Sequence, residues 1–398
     1  MSNKATAGSQ SSLREANRTL VLHTVQRWGG LTQVELAAAT GLSTATVSNI
    51  VREMYAAGLV DTAVTTRSGR RAQLVTLARR LGLAVGVHLG SRHLRIVLGD
   101  FGHSVIAEQS LPLPRDHRMD ASLDRVALLV ADMLERVGAS VTDVVGVGIG
   151  VPAPVDAATG MISVGGVMRG WDDTHLGQTL AKRVGCPVAV DNEANLGALA
   201  ESTLGASRNH RDSAFVLASH AIGAGLVIDG KPHRGYAGLA GEIGHVQVDP
   251  QGLICSCGNR GCLDTIVGAD ALLEAVRPIR GALSLRDVVL LAKEGDQGCS
   301  RLVADAGAQI GAVVANLCMV MNPEVVVVGG ELAESGDVFL GPMRTAITRR
   351  MVVNRIAPLE VVPAALGTRA EVMGALLLAL QAAEVPAMGD VDNEESAS

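Results

Sequence analysis

Short apolar strands that end in glycine recur through most of this sequence and constrain its fold more than any other feature. From Leu81 onward the pattern is strand, tight turn and strand over 83–100, followed by a helical stretch at 123–137. Looser repeats of the strand-to-glycine junction follow, at 144–155, 215–228 and 325–330. The repetition predicts an α/β body with two similar lobes around a cleft, where backbone amides approach a ligand closely.

The first 80 residues have a different pattern, that of a winged helix-turn-helix. A helix ending at Gly29-Gly30 precedes a second that begins at Thr32, where Glu35 completes a capping box, and a third that begins at Ser43. Two strand-like runs around the polar turn 65–69 predict a hairpin wing. The candidate DNA contacts are polar residues of the third helix and arginines of the wing, namely Thr44, Ser48, Asn49, Arg52, Arg67, Arg70 and Arg71.

The charge distribution favours DNA binding by this head. Residues 1–80 carry ten basic and four acidic side chains, a net charge of +6, whereas the rest of the chain has a net charge of −12. A basic head on an acidic body indicates that only the head meets a polyanion. The alternative is a helical protein-interaction domain with an ordinary solvated basic face. Helix spacing, wing and charge together favour double-stranded operator DNA.

Three of the six cysteines, Cys255, Cys257 and Cys262, lie close together and follow His245 by ten residues or more. One imidazole and three thiolates form a tetrahedral ligand set for Zn²⁺ that leaves no open position, which is typical of a structural site. A chance cluster of reduced cytosolic thiols and a redox pair are the alternatives that spacing leaves open.

Several motifs, at 148–156, 170–171, 187–195, 234–245 and 317–330, make the chain resemble the ROK family of repressors, open reading frames and sugar kinases. The resemblance extends to the branch of regulators with an N-terminal winged helix, of the xylose-repressor type. It is most specific where Glu242-Ile-Gly-His245 precedes the three cysteines. It implies a two-lobed actin-like, ribonuclease-H-like fold, structural Zn²⁺ on His245, Cys255, Cys257 and Cys262, and a homodimer or homotetramer.

The resemblance also implies a sugar-binding cleft. Its residues would be Asn192, Glu193, Glu242, His245 and Asp264. Carboxylates and amides suit this role because they can bridge adjacent sugar hydroxyls. Asp264 stands where the family more often has Glu, so a differently shaped sugar such as a pentose is a candidate beside a hexose.

The kinase motifs of the family are altered here. His88 and Glu193 stand where the kinases have Asp, and the second phosphate turn, 220–224, lacks its hydroxyl. A misplaced carboxylate alone can cost on the order of a hundredfold in rate. We therefore expect no enzyme activity.

The expected protein is a cytoplasmic, sugar-responsive repressor of a carbohydrate-utilisation operon. No apolar run reaches the roughly 20 residues that span a bilayer, and no secretory signal is visible in 1–12. Alternatives are an ATP-dependent sugar kinase with an accessory DNA-binding module, and a regulator that responds only to a protein partner. The expected boundaries are a disordered N-terminus 1–12, winged helix 13–80, lobe 1 at 81–198, lobe 2 with the zinc loop at 199–369, a C-terminal helix 370–384 returning to lobe 1, and a disordered acidic tail 385–398.

Overall fold

The computed structural model describes residues 10–67, 70–114, 117–156, 159–162, 175–351 and 358–384. The motif at 170–171, the acidic tail 385–398 and most of the predicted N-terminal segment lie outside these ranges.

The head contains three helices and a small sheet, which confirms the predicted winged helix-turn-helix. The helices are α1 (Gln10–Trp28), α2 (Gln33–Thr40) and α3 (Thr44–Ala56), and the strands are β1 (Leu31–Thr32), β2 (Val60–Arg67) and β3 (Arg70–Leu77). The strands pair antiparallel in the order β1-β3-β2, so that β2 and β3 form the wing.

Local signals set the turn between α2 and α3. Thr32 and Glu35 form the predicted capping box, with a hydrogen bond of 2.7 Å from the Thr32 amide to the Glu35 carboxylate. Gly41 ends α2 in the left-handed conformation (φ 71°), and the Ser43 hydroxyl caps α3 by accepting from the Thr46 amide at 3.1 Å.

Two five-stranded sheets with the same strand order form the body, as the repeated strand pattern predicts. The first consists of β4 (Leu83–Leu89), β5 (His93–Asp100), β6 (Val105–Pro112), β7 (Val144–Val151) and β8 (Val188–Asn192), in the order β6-β5-β4-β7-β8. The second consists of β9 (Ser213–Ala218), β10 (Ile222–Ile228), β11 (Lys231–His233), β12 (Val325–Gly329) and β13 (Glu360–Pro363), in the order β11-β10-β9-β12-β13. In each sheet the first three strands are antiparallel and the last two join in parallel.

Two helices cross between the sheets, α6 (Glu193–Thr203) and α12 (Ala370–Ala382). One face of α6 packs on the second sheet and α12 packs on the first. They approach closely because Gly374 has no side chain: a Cβ there would lie 2.0 Å from the Leu196 carbonyl oxygen. The crossing pair connects the two lobes.

The remaining helices cover the outer faces of the sheets. They are α4 (Met119–Arg136), α5 (Leu176–Val184), α7 (Asp264–Val267), α8 (Ala269–Arg280), α9 (Leu285–Lys293), α10 (Gln297–Met321) and α11 (Asp337–Arg350). The sequence was expected to hold no apolar run long enough to span a bilayer, but α10 has a sufficient length and composition. It packs along α11 with ten of its residues buried, as expected of a core helix.

The head packs against the body through the C-terminal end of α1. In α1, Leu20 is 42% exposed, whereas Leu22 and Gln26 are buried. The Gln26 amide donates to the carbonyls of Leu380 at 2.7 Å and Ala383 at 3.0 Å. The sequence pattern missed this because α1 has a second partner, α12, that lies more than 350 residues away.

Candidate functional site

The outer face of α3 presents the predicted DNA contacts of the recognition helix. Thr44, Asn49 and Arg52 are exposed and Ser48 is half-buried, while the opposite face of the helix is buried in the head. In the wing, Arg71 is exposed, and Arg67 pairs with Arg70 in the strand register. The side chains of Arg67 and Arg70 lie outside the described part of the structure.

The five predicted sugar ligands line a single cavity of about 600 Å³ between the two lobes. They are Asn192, Glu193, Glu242, His245 and Asp264. The structure thus brings together residues from the end of β8, from the loop after β11 and from the start of α7. Monosaccharides fall within the size range of ligands that such cavities hold.

The start of α6 is held rigidly at the edge of this cavity. The Asn192 side chain caps α6 by accepting from the Ala194 amide at 2.8 Å, and it donates to the Ala153 carbonyl at 3.1 Å. Asp191, 4% exposed, accepts from the Asn192 amide at 2.8 Å and from the Arg234 guanidinium at 2.6 and 2.7 Å. Because Arg234 follows β11 in the second lobe, the Asp191–Arg234 ion pair links the two sides of the cleft.

Two acids on the opposite wall are destabilised as anions. Burial raises the pKa of Glu242, and the charges of Asp264 and Glu193 add to the effect. Burial likewise raises the pKa of Asp264, although its carboxylate accepts from the Ile222 amide at 2.9 Å. A buried carboxylate of this kind is stabilised by hydroxyl groups that donate hydrogen bonds in place of the water it has lost.

The predicted metal ligands meet in one cluster beside the cavity. The ligand atoms of His245, Cys255, Cys257 and Cys262 lie within 4.8 Å of one another. The Cys257 and Cys262 sulfurs are 3.7 Å apart, and the Cys255 sulfur is 3.5 Å from His245 Nδ1. Tetrahedral Zn²⁺ with usual bond lengths requires about 3.8 Å between sulfurs and about 3.6 Å between sulfur and nitrogen. The donor set therefore fits zinc.

The loop that carries these cysteines depends on glycine. Gly261 has a φ of 65°, and a Cβ there would lie 1.5 Å from the Asp249 carbonyl oxygen. Burial raises the pKa of Cys262 to about 12, helped by the neighbouring thiols. Thiolates packed this closely need a cation, which a metal ion supplies.

A second cavity of about 540 Å³ opens on the other side of Glu193. Its charged lining consists of His88, His93, His220, Arg92, Arg95, Arg286, Glu193, Glu331, Glu334 and Glu371. His88 Nε2 lies 2.8 Å from Glu193 Oε2, with the His88 side chain buried and the Glu193 side chain partly buried. The two residues that were expected from the sequence to depart from the kinase motifs are therefore direct partners.

Sequence reasoning missed three features of these sites. It gave no role to Asp191 or Arg234, although both lie in motifs that carry the family resemblance. It treated His88 and Glu193 as separate departures. It also missed Gln26, since a glutamine on a helix gives no signal of a partner far along the chain.

A winged helix joined to a two-lobed actin-like body with an interlobe cleft defines a class of protein in which a DNA-binding head is attached to a ligand-binding body. The chain belongs to the ROK family. Residues 84–382 match the ROK family model, and residues 15–72 match the MarR family model. Both predictions from the sequence, the family and the N-terminal winged helix, are confirmed.

Named relatives of the chain are transcriptional repressors. The xylose repressor of Bacillus subtilis is 27% identical over 367 residues, which cover 92% of this chain and 95% of the relative. The N-acetylglucosamine repressor of Escherichia coli O157:H7 is 28% identical over 358 residues, covering 86% of this chain and 87% of the relative.

Solved structures share the whole fold or the body alone. A ROK family transcriptional regulator described as a homologue of the Escherichia coli MLC protein has a TM-score of 0.72 at 24% identity, covering 93% of this chain and 97% of that one. A ROK family glucokinase from Streptomyces griseus, in complex with glucose and AMPPNP, has a TM-score of 0.68 at 27% identity, covering 75% of this chain and all of that one. The kinase match thus extends over much less of the chain than the regulator match.

Proposed function

We propose that this protein is a cytoplasmic, sugar-responsive repressor that binds operator DNA through its head and a small sugar through its cleft. The observation that carries the proposal is the union of a basic winged helix with a carboxylate-lined interlobe cavity in one chain. The repressor relatives named for xylose and N-acetylglucosamine support it, and so does the body's likeness to a kinase that binds glucose.

In the head, we propose that Thr44, Ser48, Asn49 and Arg52 approach base edges in the major groove. Arg67, Arg70 and Arg71 of the wing would contact phosphates or the minor groove. The assignment rests on exposed residues of α3 and on the excess positive charge of the head. A single winged helix offers few base contacts, so a homodimer or homotetramer would bind two half-sites.

In the cleft, Asn192, Glu193, Glu242, His245 and Asp264 would hydrogen-bond the hydroxyls of a pentose or hexose. Carboxylates bind vicinal hydroxyls in bidentate fashion, and three of these five residues carry one. His245 Nδ1 faces the cysteine cluster, which leaves Nε2 for the sugar side.

Zn²⁺ would be held by His245, Cys255, Cys257 and Cys262 as a structural ion that fixes the cavity wall. With four protein ligands it leaves no position for water, so its contribution is to neutralise the thiolates and hold the loop. His245 and Cys255 belong to both the metal cluster and the cavity lining. Sugar binding would therefore depend on an ordered cysteine loop.

Sugar would act on DNA binding through the junction between head and body. The end of α1 contacts the first lobe, where Gln26 donates to the end of α12 and His103 Nε2 lies 3.3 Å from the Gln26 carbonyl. It also contacts the second lobe, where Arg27 donates to the Gly230 carbonyl in the β10–β11 turn. Closing the lobes must therefore shift α1 and the recognition helix behind it. A coupling free energy of about 1–3 kcal/mol would change operator affinity roughly 5–150-fold.

Phosphoryl transfer is not part of the proposed function. Glu193, the residue at the position of the kinase base, already bonds to His88. That bond occupies one of the two carboxylate oxygens that a general base would use. A coupled ADP-release assay over pentoses and hexoses tests this, and turnover near 1 s⁻¹ would establish the kinase alternative, because enzymes commonly reach that rate.

The proposal is tested by fluorescence anisotropy with DNA from the region upstream of the gene. We expect one of D-xylose, D-glucose or N-acetyl-D-glucosamine to weaken DNA binding within the range above. Affinity should also fall about 10³–10⁵-fold between 50 and 200 mM salt if six to ten phosphates are contacted. Arg52→Ala should weaken DNA binding, whereas Arg79→Ala, an exposed arginine outside α3 and the wing, should not. No response to any sugar, or a flat salt dependence, contradicts the proposal.

The role of the junction between head and body is tested by how strongly sugar changes operator affinity. Gln26→Ala removes the side chain that joins α1 to α12 and should reduce the ratio between operator affinities without and with sugar to less than about threefold. Thr24→Ala is a matched control, since Thr24 bonds only within α1, to the Leu20 carbonyl. An unchanged ratio in Gln26→Ala would exclude the junction as the route.

A further inference from the structure

Two residues 105 positions apart form a buried hydrogen-bonded pair at the boundary between the two cavities. His88 is near the end of β4 in the first sheet, and Glu193 is the first residue of α6. His88 Nε2 lies 2.8 Å from Glu193 Oε2, and the side chains are 5% and 12% exposed. Burial this deep makes an uncompensated charge costly, so each partner depends on the other.

The surroundings make Glu193 the specific partner of His88. Nδ1 of His88 is buried and has no hydrogen-bond partner among the described residues, where the hydrogen bond of this imidazole is the one from Nε2. His93 of β5 packs edge-on with ring centroids 4.9 Å apart, and Arg95 of β5 and Glu371 of α12 also face the imidazole. Burial alone would lower the pKa of His88, but the bond to Glu193 together with the charges of Glu193 and Glu371 outweighs it and raises that pKa. Nε2 of His88 is therefore the donor of this bond, and Glu193 Oε2 accepts it.

The Glu193 carboxylate has one protein partner in the part of the chain that the structure describes, the His88 imidazole. Its second oxygen, Oε1, is left for a ligand, and Glu193 lines the sugar cavity together with Glu242 and Asp264. An aspartate in place of His88 would repel this carboxylate. An asparagine would be too short to reach it.

We propose that His88 is a positioning residue of the sugar site, which holds Glu193 by one oxygen so that the other accepts a hydrogen bond from a sugar hydroxyl. The inference rests on the proposed sugar-binding function. It makes the two departures from the kinase motifs a matched pair: the imidazole that replaces an aspartate is the group that orients the longer glutamate.

Two polar substitutions at one position test the pair. His88→Gln places an amide nitrogen where Nε2 was, whereas His88→Asn ends short of Glu193. Calorimetry would use D-xylose, D-glucose and N-acetyl-D-glucosamine, taking the sugar that wild type binds best. We expect His88→Asn to weaken binding about 10–100-fold, the usual effect of a lost hydrogen bond to a charged group. His88→Gln should stay within about threefold of wild type. His93→Asn, which removes a neighbouring histidine without a bond to Glu193, should leave the affinity unchanged.

A double-mutant cycle separates positioning from general stability. In the Glu193→Gln background, His88→Asn should have less than about a third of its effect, because the carboxylate it orients is gone. Unfolding temperatures of all variants are measured beside the affinities. The inference is overturned if His88→Asn binds like wild type, if both substitutions weaken binding equally at wild-type stability, or if the cycle is additive. If wild type binds none of the sugars, the proposed function fails first and the inference falls with it.

Discussion

Two cavities of about 600 and 540 Å³ meet at the Glu193 carboxylate, and their linings differ in kind. The first is walled by acids, an amide and a loop held by a histidine–cysteine cluster. The second has three histidines and three arginines facing four glutamates. The first presents acceptors of the kind that recognise hydroxyl groups, while the second presents mostly charged side chains of both signs. The comparison teaches that two cavities of one body can share a carboxylate and still suit different ligands.

Metal removal should have the largest effect, and it should act on the first cavity. Chelation, or Cys257→Ser, should abolish measurable sugar binding and lower the unfolding temperature of the body by about 10 °C or more, since each kcal/mol lost shifts it by about 2–4 °C in a domain this large. Calorimetry and thermal unfolding measure both. Cys186→Ser, which removes a half-buried thiol outside the cluster, is the control. A stripped protein that stays folded and binds its sugar would show that the loop is not a support for the cavity.

Substitution of single acids should have the next largest effect and should show which cavity binds the sugar. Glu242→Gln should weaken sugar binding by about 10–100-fold, as expected for a charged hydrogen-bond acceptor in a buried wall. Glu331→Gln makes the same change in the second cavity and should alter sugar affinity less than twofold. Calorimetry with the inducing sugar measures both. Equal losses in the two variants would mean that the sugar occupies both cavities.

Low pH should reduce the free energy of unfolding, in part through a histidine of the second cavity. Burial lowers the pKa of His93 to about 3, aided by the charges of His88 and Arg95. An unfolded histidine binds a proton below about pH 6.5 and the folded one does not until near pH 3, so stability falls as pH decreases through that window, by up to about 1.4 kcal/mol per pH unit. The raised pKa of Glu242 acts in the opposite direction.

Chemical unfolding at a series of pH values measures this slope. His93→Asn should reduce it, whereas His23→Asn, which removes an exposed histidine of α1, should not. Burial also lowers the pKa of His103, outside the second cavity, to about 4, so a part of the slope remains in His93→Asn. The assignment to the second cavity is wrong if His93→Asn leaves the slope unchanged.

Nucleotide should have the smallest effect. With the altered residues at 88 and 220–224, MgAMPPNP at millimolar concentration should give no binding heat and change sugar affinity less than twofold. Sugar titrations with and without nucleotide measure it. Tight nucleotide binding would show that the second cavity binds nucleotide as the kinases of the family do.

The sequence predicted best what depends on neighbouring residues. The capping box of Thr32 and Glu35, the Ser43 cap and the strand-to-glycine repeats are local signals, and the structure has them where they were expected. The convergence of His245 with three cysteines followed from a short loop. The His88–Glu193 bond and the burial of Gln26 depend on contacts across 105 and 354 residues. Strand and helix periodicity carries no information about which distant elements meet, so only the structure shows them.

The bond between the first and last described helices imposes an order on biosynthesis. The head can fold soon after it leaves the ribosome, because its helices and wing form a local unit. The surface of the body on which the head packs, however, includes the end of α12, around Leu380, which is translated roughly 300 residues later. A nascent chain therefore carries a folded DNA-binding head with no fixed orientation. Control by sugar begins only when the final helix has been made and has crossed α6.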